Sequence, residues 1–194
     1  IEISDISRNL NKDELLVEFI KYKYFDFHKD NAKNKVVEKY MILTLDNLEN
    51  INIYDIGEAS IIENKILLSN NLLQSSWNEI IKDENKSFNL LNKSNIIYQE
   101  LIDIIFKPLV KYENKKKLYL SLDAELNNIP FTRLLEREGS DIELFNKLNF
   151  ITSAKDLIRK ENNYKINLNK SLVVANPNFD LLINKKNMNI KFKN

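Results

Sequence analysis

The spacing of apolar residues changes twice along this chain, and the order of these changes constrains the fold more than any single residue does. Apolar and polar residues alternate through 15–27, 40–45 and 51–56, and alternation of this kind is typical of half-buried strands. Only short polar segments separate the three runs, which favours turns over long crossover connections. We therefore expect an antiparallel meander of three strands at the start of the chain.

Helical spacing follows Gly57. Ser60 lies three residues before Glu63, which is the spacing of a capping box at a helix amino terminus. Apolar residues then recur at helical intervals, at Ile62, Ile66, Leu73, Trp77, Ile80 and Ile81. After a polar break at 82–87 they recur again, at Ile97, Leu101, Ile104 and Ile105. The pattern predicts two amphipathic helices, and the second must bend or stop near Pro108 because proline has no backbone N–H.

Short apolar runs alternate with helical patterns in the rest of the chain. The runs lie at 118–122, 150–151 and 172–175. Strands that alternate with helices predict parallel βαβ units, so we assign the chain to the α/β class. The corresponding domains are an amino-terminal lobe at 1–114, the first βαβ units at 115–183 and a polar tail at 184–194.

The composition excludes several classes of protein. Lys and Arg number 29 against 28 Asp and Glu, so no general basic field favours a nucleic-acid partner. The absence of cysteine excludes disulfides, thiolate zinc sites and a cysteine nucleophile within these residues. Two glycines, Gly57 and Gly139, are too few for a Walker or dinucleotide phosphate loop. We expect no cofactor.

The apolar runs are too short for a membrane protein. No run approaches the roughly 18 uninterrupted apolar residues of a membrane span, and the first residues lack the features of a signal peptide. We therefore expect a cytoplasmic protein without a membrane partner. The chain begins with Ile1 and not with Met, which we interpret as a piece of a longer protein.

His28 is the only histidine, so any imidazole chemistry within this chain would depend on it. It lies at the end of the first predicted strand, beside a polar turn. A metal site would need several converging ligands, and the nearby sequence offers only Asp26 and Asp30. An ordinary turn histidine is the simpler interpretation.

Three further polar residues follow predicted strands. Asp123 and Glu125 come directly after the strand at 118–122, and α/β folds bind ligands at such positions. The same residues also fit a solvent-facing turn. Ser153 lacks the Gly-x-Ser-x-Gly context of a nucleophile, and Asp156 lies three positions later, so a helix cap is the better interpretation.

Four short motifs accompany the strands of the second half. They are LDAEL at 122–126, PFTRL at 130–134, Thr152 and Ser153 with Leu157, and NPNF at 176–179. Their order resembles the CHAT domain, a caspase-like peptidase module often found with tetratricopeptide repeats. That family has Pro-Asp-Gly-x-Leu after a strand, then Pro-Phe-x-x-Leu, a strand ending in Pro-Ser-x-x-x-Leu, and a strand followed by Asn/Asp-Pro-x-Phe.

The first half matches the same family more loosely. The polar lead-in at 10–15, Ile-Gly-Glu-Ala at 56–59 and the Pro-Leu pair at 108–109 occur in the expected order. The chain departs from the family where Leu122 and Ala124 replace the usual Pro and Gly. Alanine tolerates a positive φ less well than glycine, so we expect a local change in the shape of this turn and not a different fold.

The resemblance implies the amino-terminal part of a cysteine endopeptidase with a caspase-like α/β/α sheet, incomplete at its carboxyl end. In the family, the catalytic His-Gly and Cys lie beyond Asn-Pro-x-Phe, so no catalytic residue is expected in this chain. The implied partners are a protein or peptide substrate of the parent, the remainder of the domain, and tetratricopeptide repeats. A non-catalytic interaction or regulatory module derived from a CHAT domain is the alternative.

Within this resemblance, the chain would contribute one wall of the substrate cleft. The loop after 172–175 is expected at the carboxyl end of a parallel strand, and Asp180 is its one acidic residue. Asp180 is therefore the candidate for a pocket that binds a basic side chain of the substrate. A surface turn residue is the simpler interpretation of Asp180.

Overall fold

A five-stranded mixed sheet forms the centre of the computed structural model, which describes residues 2–25, 36–136 and 140–159. The strands are β1 (Glu14–Phe25), β2 (Val36–Leu45), β3 (Ile51–Glu58), β4 (Lys117–Ser121) and β5 (Leu148–Ile151). The helices are α1 (Ile3–Ser7), α2 (Ala59–Glu79), α3 (Glu84–Phe106), α4 (Ser140–Lys147) and α5 (Lys155–Arg159). Short 3₁₀ helices occupy Lys107–Tyr112, Ala124–Asn128 and Phe131–Glu136.

The strand order is β3-β2-β1-β4-β5, with β1 shared between two kinds of pairing. On one side, β1, β2 and β3 form the predicted antiparallel meander, with an irregularity between Tyr40 and Met41. On the other side, β4 pairs parallel with β1, and β5 pairs parallel with β4. The α/β class is therefore confirmed, and strands from both sides of residue 115 belong to one sheet.

Strand alternation divides the apolar side chains of β1 between two faces of the sheet. Leu15, Val17 and Phe19 lie on the face that α2 and α3 cover, and all three are buried. Leu16 lies on the opposite face, where it packs with Leu10 and other residues of a smaller cluster. Full burial of such a side chain stabilises the fold by about 1.5–3 kcal/mol, so both layers hold β1 at the centre of the sheet.

The predicted capping box at Ser60 and Glu63 is wrong. Strand β3 continues directly into α2, and Glu58, which forms no side-chain cap bond, occupies the cap position. The Glu63 carboxylate instead accepts a hydrogen bond from Tyr40 and pairs with Lys21. The spacing was correct for a helix start, but tertiary partners on the sheet engage the glutamate.

The predicted apolar stripe of α2 is buried over only part of its length. Ile62 and Ile66 lie in the core, but Trp77 is 64% exposed and Ile81 is 96% exposed. A helix of 21 residues is about 31 Å long, and only its amino-terminal half lies over the sheet. The predicted amphipathic helix is therefore confirmed, but its apolar stripe is buried only as far as the middle of α2.

The second predicted helix ends as expected. α3 ends at Phe106, and the chain continues as a 3₁₀ helix that contains Pro108 near its start. At the other end, the Asp83 carboxylate accepts the backbone N–H of Lys86 and caps α3. No helix in the described part of the chain is long and apolar enough to cross a membrane.

Candidate functional site

The carboxyl ends of the parallel-paired strands lie along one edge of the sheet. Parallel pairing ends where Glu18 lies beside Ser121 and Ser121 lies beside Ile151. A loop at 122–123 follows β4 at this edge, and a loop at 152–154 follows β5. Open α/β sheets bind their ligands at such an edge, so it is the candidate functional site.

The first loop turns sharply at Asp123 and Ala124. The Asp123 carboxylate accepts the backbone N–H of Ala124 at 2.8 Å and that of Lys21 at 2.9 Å. Ala124 has a φ of 48°, in the left-handed region that glycine adopts more easily than alanine. Asp123 therefore forms the turn and joins β1 to β4, which confirms its interpretation as a turn residue.

Glu125 is exposed in the 3₁₀ helix that begins at Ala124. Its carboxylate accepts a hydrogen bond at 2.5 Å from the side chain of Asn128, within the same helix. Like Asp123, Glu125 therefore has a local structural role. The hydrogen bonds of the Asp123 and Glu125 carboxylates go to donors of the loop or of β1 and not to each other. These contacts do not make them a general acid and base pair.

The segment after this turn is anchored by apolar side chains. Phe131 and Leu134, which belong to the motif at 130–134, are both buried in the main core. The Phe131 ring lies edge-on to Phe106 of α3, with centroids 6.3 Å apart, and 5.1 Å from the ring of Phe150 in β5. These contacts fix the segment between the helices and the parallel strands.

Arg133 is a buried residue of this segment that the sequence did not single out. It is 5% exposed and donates hydrogen bonds to Ser69 Oγ at 2.9 Å and Asn95 Oδ1 at 2.6 Å. Its guanidinium also lies over the Tyr98 ring, 4.3 Å from the centroid. The available signal was composition, because the chain uses only 4 Arg among its 29 basic residues. Arginine is the residue whose planar group suits such a buried, multiply bonded position.

An ion network lies next to the edge, on the face that α2 covers. Lys21 Nζ lies 2.8 Å from Glu38 and 2.9 Å from Glu63, and the Tyr40 hydroxyl donates to Glu63 at 2.9 Å. Hydrogen bonds to Glu38 and Glu63 raise the pKa of Lys21, and burial followed by the bond to Glu63 raises the pKa of Tyr40. Lys21 is thus held as a cation between two carboxylates, and the network links β1, β2 and α2.

The second loop is also closed by hydrogen bonds. The Asp156 carboxylate accepts the backbone N–H groups of Thr152 at 2.9 Å and Ser153 at 3.3 Å. Glu18 Oε1 accepts the N–H of Ala154 at 3.2 Å, which ties this loop to β1. Helix α5 begins at Lys155, two positions after Ser153, so Asp156 and not the Ser153 hydroxyl provides the side-chain contacts at this helix start.

Several predicted site residues lie outside the described residues. They are His28, Asp180, the strand at 172–175 and the motif at 176–179. Within the described ranges, no group of three or more histidine, aspartate or glutamate side chains could hold a metal ion. In the described part of the edge, each of the two loops is held by an aspartate carboxylate that accepts backbone N–H groups, so these carboxylates have a structural role.

A polar cleft of about 750 Å³ lies at the opposite end of the strands. It is lined by the segment before β1, the β2–β3 turn and the segment before β4. Lys116 pairs with Asp13 at 2.9 Å, and this hydrogen bond lowers the pKa of the Asp13 carboxyl. The cleft lies away from the carboxyl ends of the parallel strands, and it brings together no nucleophile and base.

Comparisons with known proteins identify no relative of this chain. No protein-family model matches it, and no curated protein and no solved structure matches it.

Proposed function

We propose that this chain forms the amino-terminal part of a CHAT-type, caspase-like cysteine endopeptidase and builds one wall of its cleft. The 194 residues contain no cysteine, so the nucleophile of such an enzyme must come from another part of the protein. The chain alone is expected to have no peptidase activity.

The turn at Ala124 is the observation that carries this proposal. A parallel strand, a left-handed residue where the family has glycine, and a buried Pro-Phe-x-x-Leu segment follow one another in the order that the resemblance requires. A surface loop of unrelated origin has no need of this combination, because left-handed alanine is costly and must be stabilised by its surroundings. Asp123 supplies that stabilisation through its bonds to Lys21 and Ala124.

The sheet supports the second element of the proposal, a wall of the cleft. The loops after β4 and β5 lie at the carboxyl edge, where a following parallel strand would bring further loops. In the implied mechanism, a cysteine from those further loops would attack the peptide carbonyl, and a histidine from them would activate its sulfur. The residues described here would hold the edge rigid while backbone N–H groups stabilise the oxyanion.

The first test is to read the gene beyond the codon for Asn194. A strand followed by His-Gly and, further on, a strand that ends at a cysteine supports the proposal. The longer protein is then assayed for peptidase activity against the same protein with that cysteine changed to alanine. A stop codon, or a continuation that lacks both residues, rejects the peptidase and leaves the non-catalytic interaction module.

A further inference from the structure

The outer half of the α2–α3 hairpin exposes large apolar side chains. Trp77 and Phe88 are 64% and 61% exposed, and Ile80 is 50% exposed. They lie near the turn that joins the two helices, beyond the part of the hairpin that packs on the sheet. We call the surface formed by Leu73, Trp77, Ile80, Phe88 and Leu91 the hairpin patch.

A seam of buried serines fixes how the two helices face each other. Ser69 and Ser94 exchange hydrogen bonds, with Ser94 Oγ donating to the Ser69 carbonyl at 2.8 Å. Nearer the turn, Ser87 Oγ donates to the carbonyl of Ser76 at 2.8 Å. Serine is small, so the helices approach closely along this seam, and the rotational position of every neighbouring residue is set.

The residue after each seam serine lies on the sheet side of the hairpin. Asn70 donates to the carbonyl of Asn128 at 3.0 Å, and Asn95 accepts from Arg133 at 2.6 Å. The segment 124–134 therefore covers this side of the hairpin at the level of Ser69 and Ser94. Trp77 lies seven residues beyond Asn70, and Phe88 lies seven residues before Asn95.

Seven residues are about two helical turns, so Trp77 and Phe88 lie on the same side as Asn70 and Asn95. Leu73 and Ile80 continue the stripe of α2 that begins with the buried Ile62 and Ile66. The hairpin patch is thus the outward continuation of the internal interface that residues 124–134 cover. The covering segment ends before the patch does, because Trp77 and Phe88 remain exposed.

The size of the hairpin patch indicates its occupant. A large aromatic side chain offers about 150–250 Å², so the two aromatic residues together leave roughly 200–300 Å² uncovered. Adding the three aliphatic residues gives a patch of about 400–500 Å², large enough to mark an interaction site. With its polar border, the patch approaches the roughly 600–1,000 Å² that each partner buries in a standard protein interface.

The border of the hairpin patch has no excess of one charge. Gln74 on α2 and Asn92 and Asn95 on α3 flank its sides, and the turn at 82–86 carries two lysines and two acidic residues, so two copies of this surface can approach each other without net repulsion at the border. Two helical hairpins that meet face to face about a twofold axis form a four-helix bundle, which is a common solution for burying such stripes. We propose that the hairpin patch is the interface of a homodimer, with a second copy of this chain as its occupant.

The single tryptophan makes this proposal directly testable. Because the chain contains one Trp, its fluorescence reports the environment of Trp77 alone. Sedimentation velocity and Trp77 emission are measured on the 194-residue chain over two orders of magnitude in concentration. We expect a monomer–dimer equilibrium, with the emission of Trp77 moving to shorter wavelength in step with dimer formation.

Two variants distinguish dimerisation through the hairpin patch from nonspecific association. Phe88→Asp places a charge in the patch and is expected to weaken dimerisation by about tenfold or more. Leu68→Asp is the matched control, because Leu68 is 50% exposed and lies nine residues from Trp77, about two and a half turns away and thus on the opposite side of α2. It is expected to leave the dimer unchanged. Circular dichroism verifies that both variants retain their helices.

Three results would overturn the homodimer. A monomer at every concentration with solvent-exposed Trp77 emission rejects it, and so does a dimer that Phe88→Asp leaves intact. Short-wavelength emission from a dilute monomer also rejects it, because the patch would then be covered within one chain. None of these results bears on the peptidase proposal, which rests on the carboxyl edge of the sheet.

Discussion

Replacing Ala124 by glycine is expected to stabilise this fold, although the substitution removes a methyl group. Ala124 has a φ of 48°, and an L-residue in the left-handed region costs about 1–2 kcal/mol relative to an ordinary conformation. Glycine avoids this cost because it has no Cβ. Against this gain, glycine adds conformational freedom to the unfolded chain and thereby loses about 0.4–1 kcal/mol.

The difference of these two effects is a net stabilisation of about 0.5–1 kcal/mol for Ala124→Gly. With a urea dependence of about 2 kcal/mol per molar for a domain of this size, the unfolding midpoint should rise by roughly 0.3–0.5 M. Equilibrium unfolding in urea, followed by circular dichroism, measures this shift. The Asp123 carboxylate bonds to backbone N–H groups, so the substitution leaves both of its hydrogen bonds in place.

Ala59→Gly is the matched control for this prediction. Ala59 is buried in the first turn of α2 with a helical conformation, so glycine there should destabilise the fold by about 0.5–1 kcal/mol. Opposite signs at the two alanines would identify the backbone conformation as the cause. If Ala124→Gly destabilises the protein as Ala59→Gly does, the left-handed turn and its link to the proposed family motif are refuted.

Two further perturbations test the contacts around the candidate site. Arg133→Met removes the bonds to Ser69 and Asn95 and should lower the free energy of unfolding by about 2–4 kcal/mol, with Arg133→Lys recovering only part of the loss. An unchanged urea midpoint in Arg133→Met would show that these bonds do not stabilise the fold. The hydrogen bond from Lys21 lowers the pKa of Glu38 in the folded protein. The Lys21–Glu38 pair therefore stabilises the fold fully above the unfolded glutamate pKa of about 4.3, and this stabilisation is lost as the pH falls through the lower pKa of folded Glu38. Glu38→Gln should therefore reduce the drop in the urea midpoint between about pH 6 and about pH 3, and an unchanged acid slope would show that the pair makes no contribution.

Residue spacing was sufficient to predict most of the secondary structure. The alternation in β1 and β2 reflects one covered face and one partly exposed face, and the helical spacing of α3 reflects one covered face. The parallel pairing of β1 with β4 could not be read from spacing, because 102 residues separate the Lys21 N–H from the Asp123 carboxylate that accepts it. Local patterns specify which segments are strands, but long-range packing decides which strands become neighbours.

The candidate site was only partly predictable for a similar reason. The resemblance to a CHAT motif drew attention to the turn at Ala124, because that motif has glycine there and glycine adopts a positive φ easily. Arg133 had only a compositional signal, since its partners Ser69, Asn95 and Tyr98 come from two helices that lie far away in the sequence. A buried cation can be recognised only when the groups that bond to it are known to converge.

The apolar stripe of α2 illustrates a limit that applies to every amphipathic helix. Ile62 and Trp77 obey the same spacing, yet one is buried and the other is 64% exposed, because periodicity specifies the direction of a side chain and not what lies there. A stripe that continues beyond the sheet is covered by another segment or another molecule, or it remains in water. Trp77 and Phe88 lie on the side of the hairpin that residues 124–134 cover nearer the sheet. The exposed end of the apolar stripe is therefore the surface on which we expect a second molecule to bind.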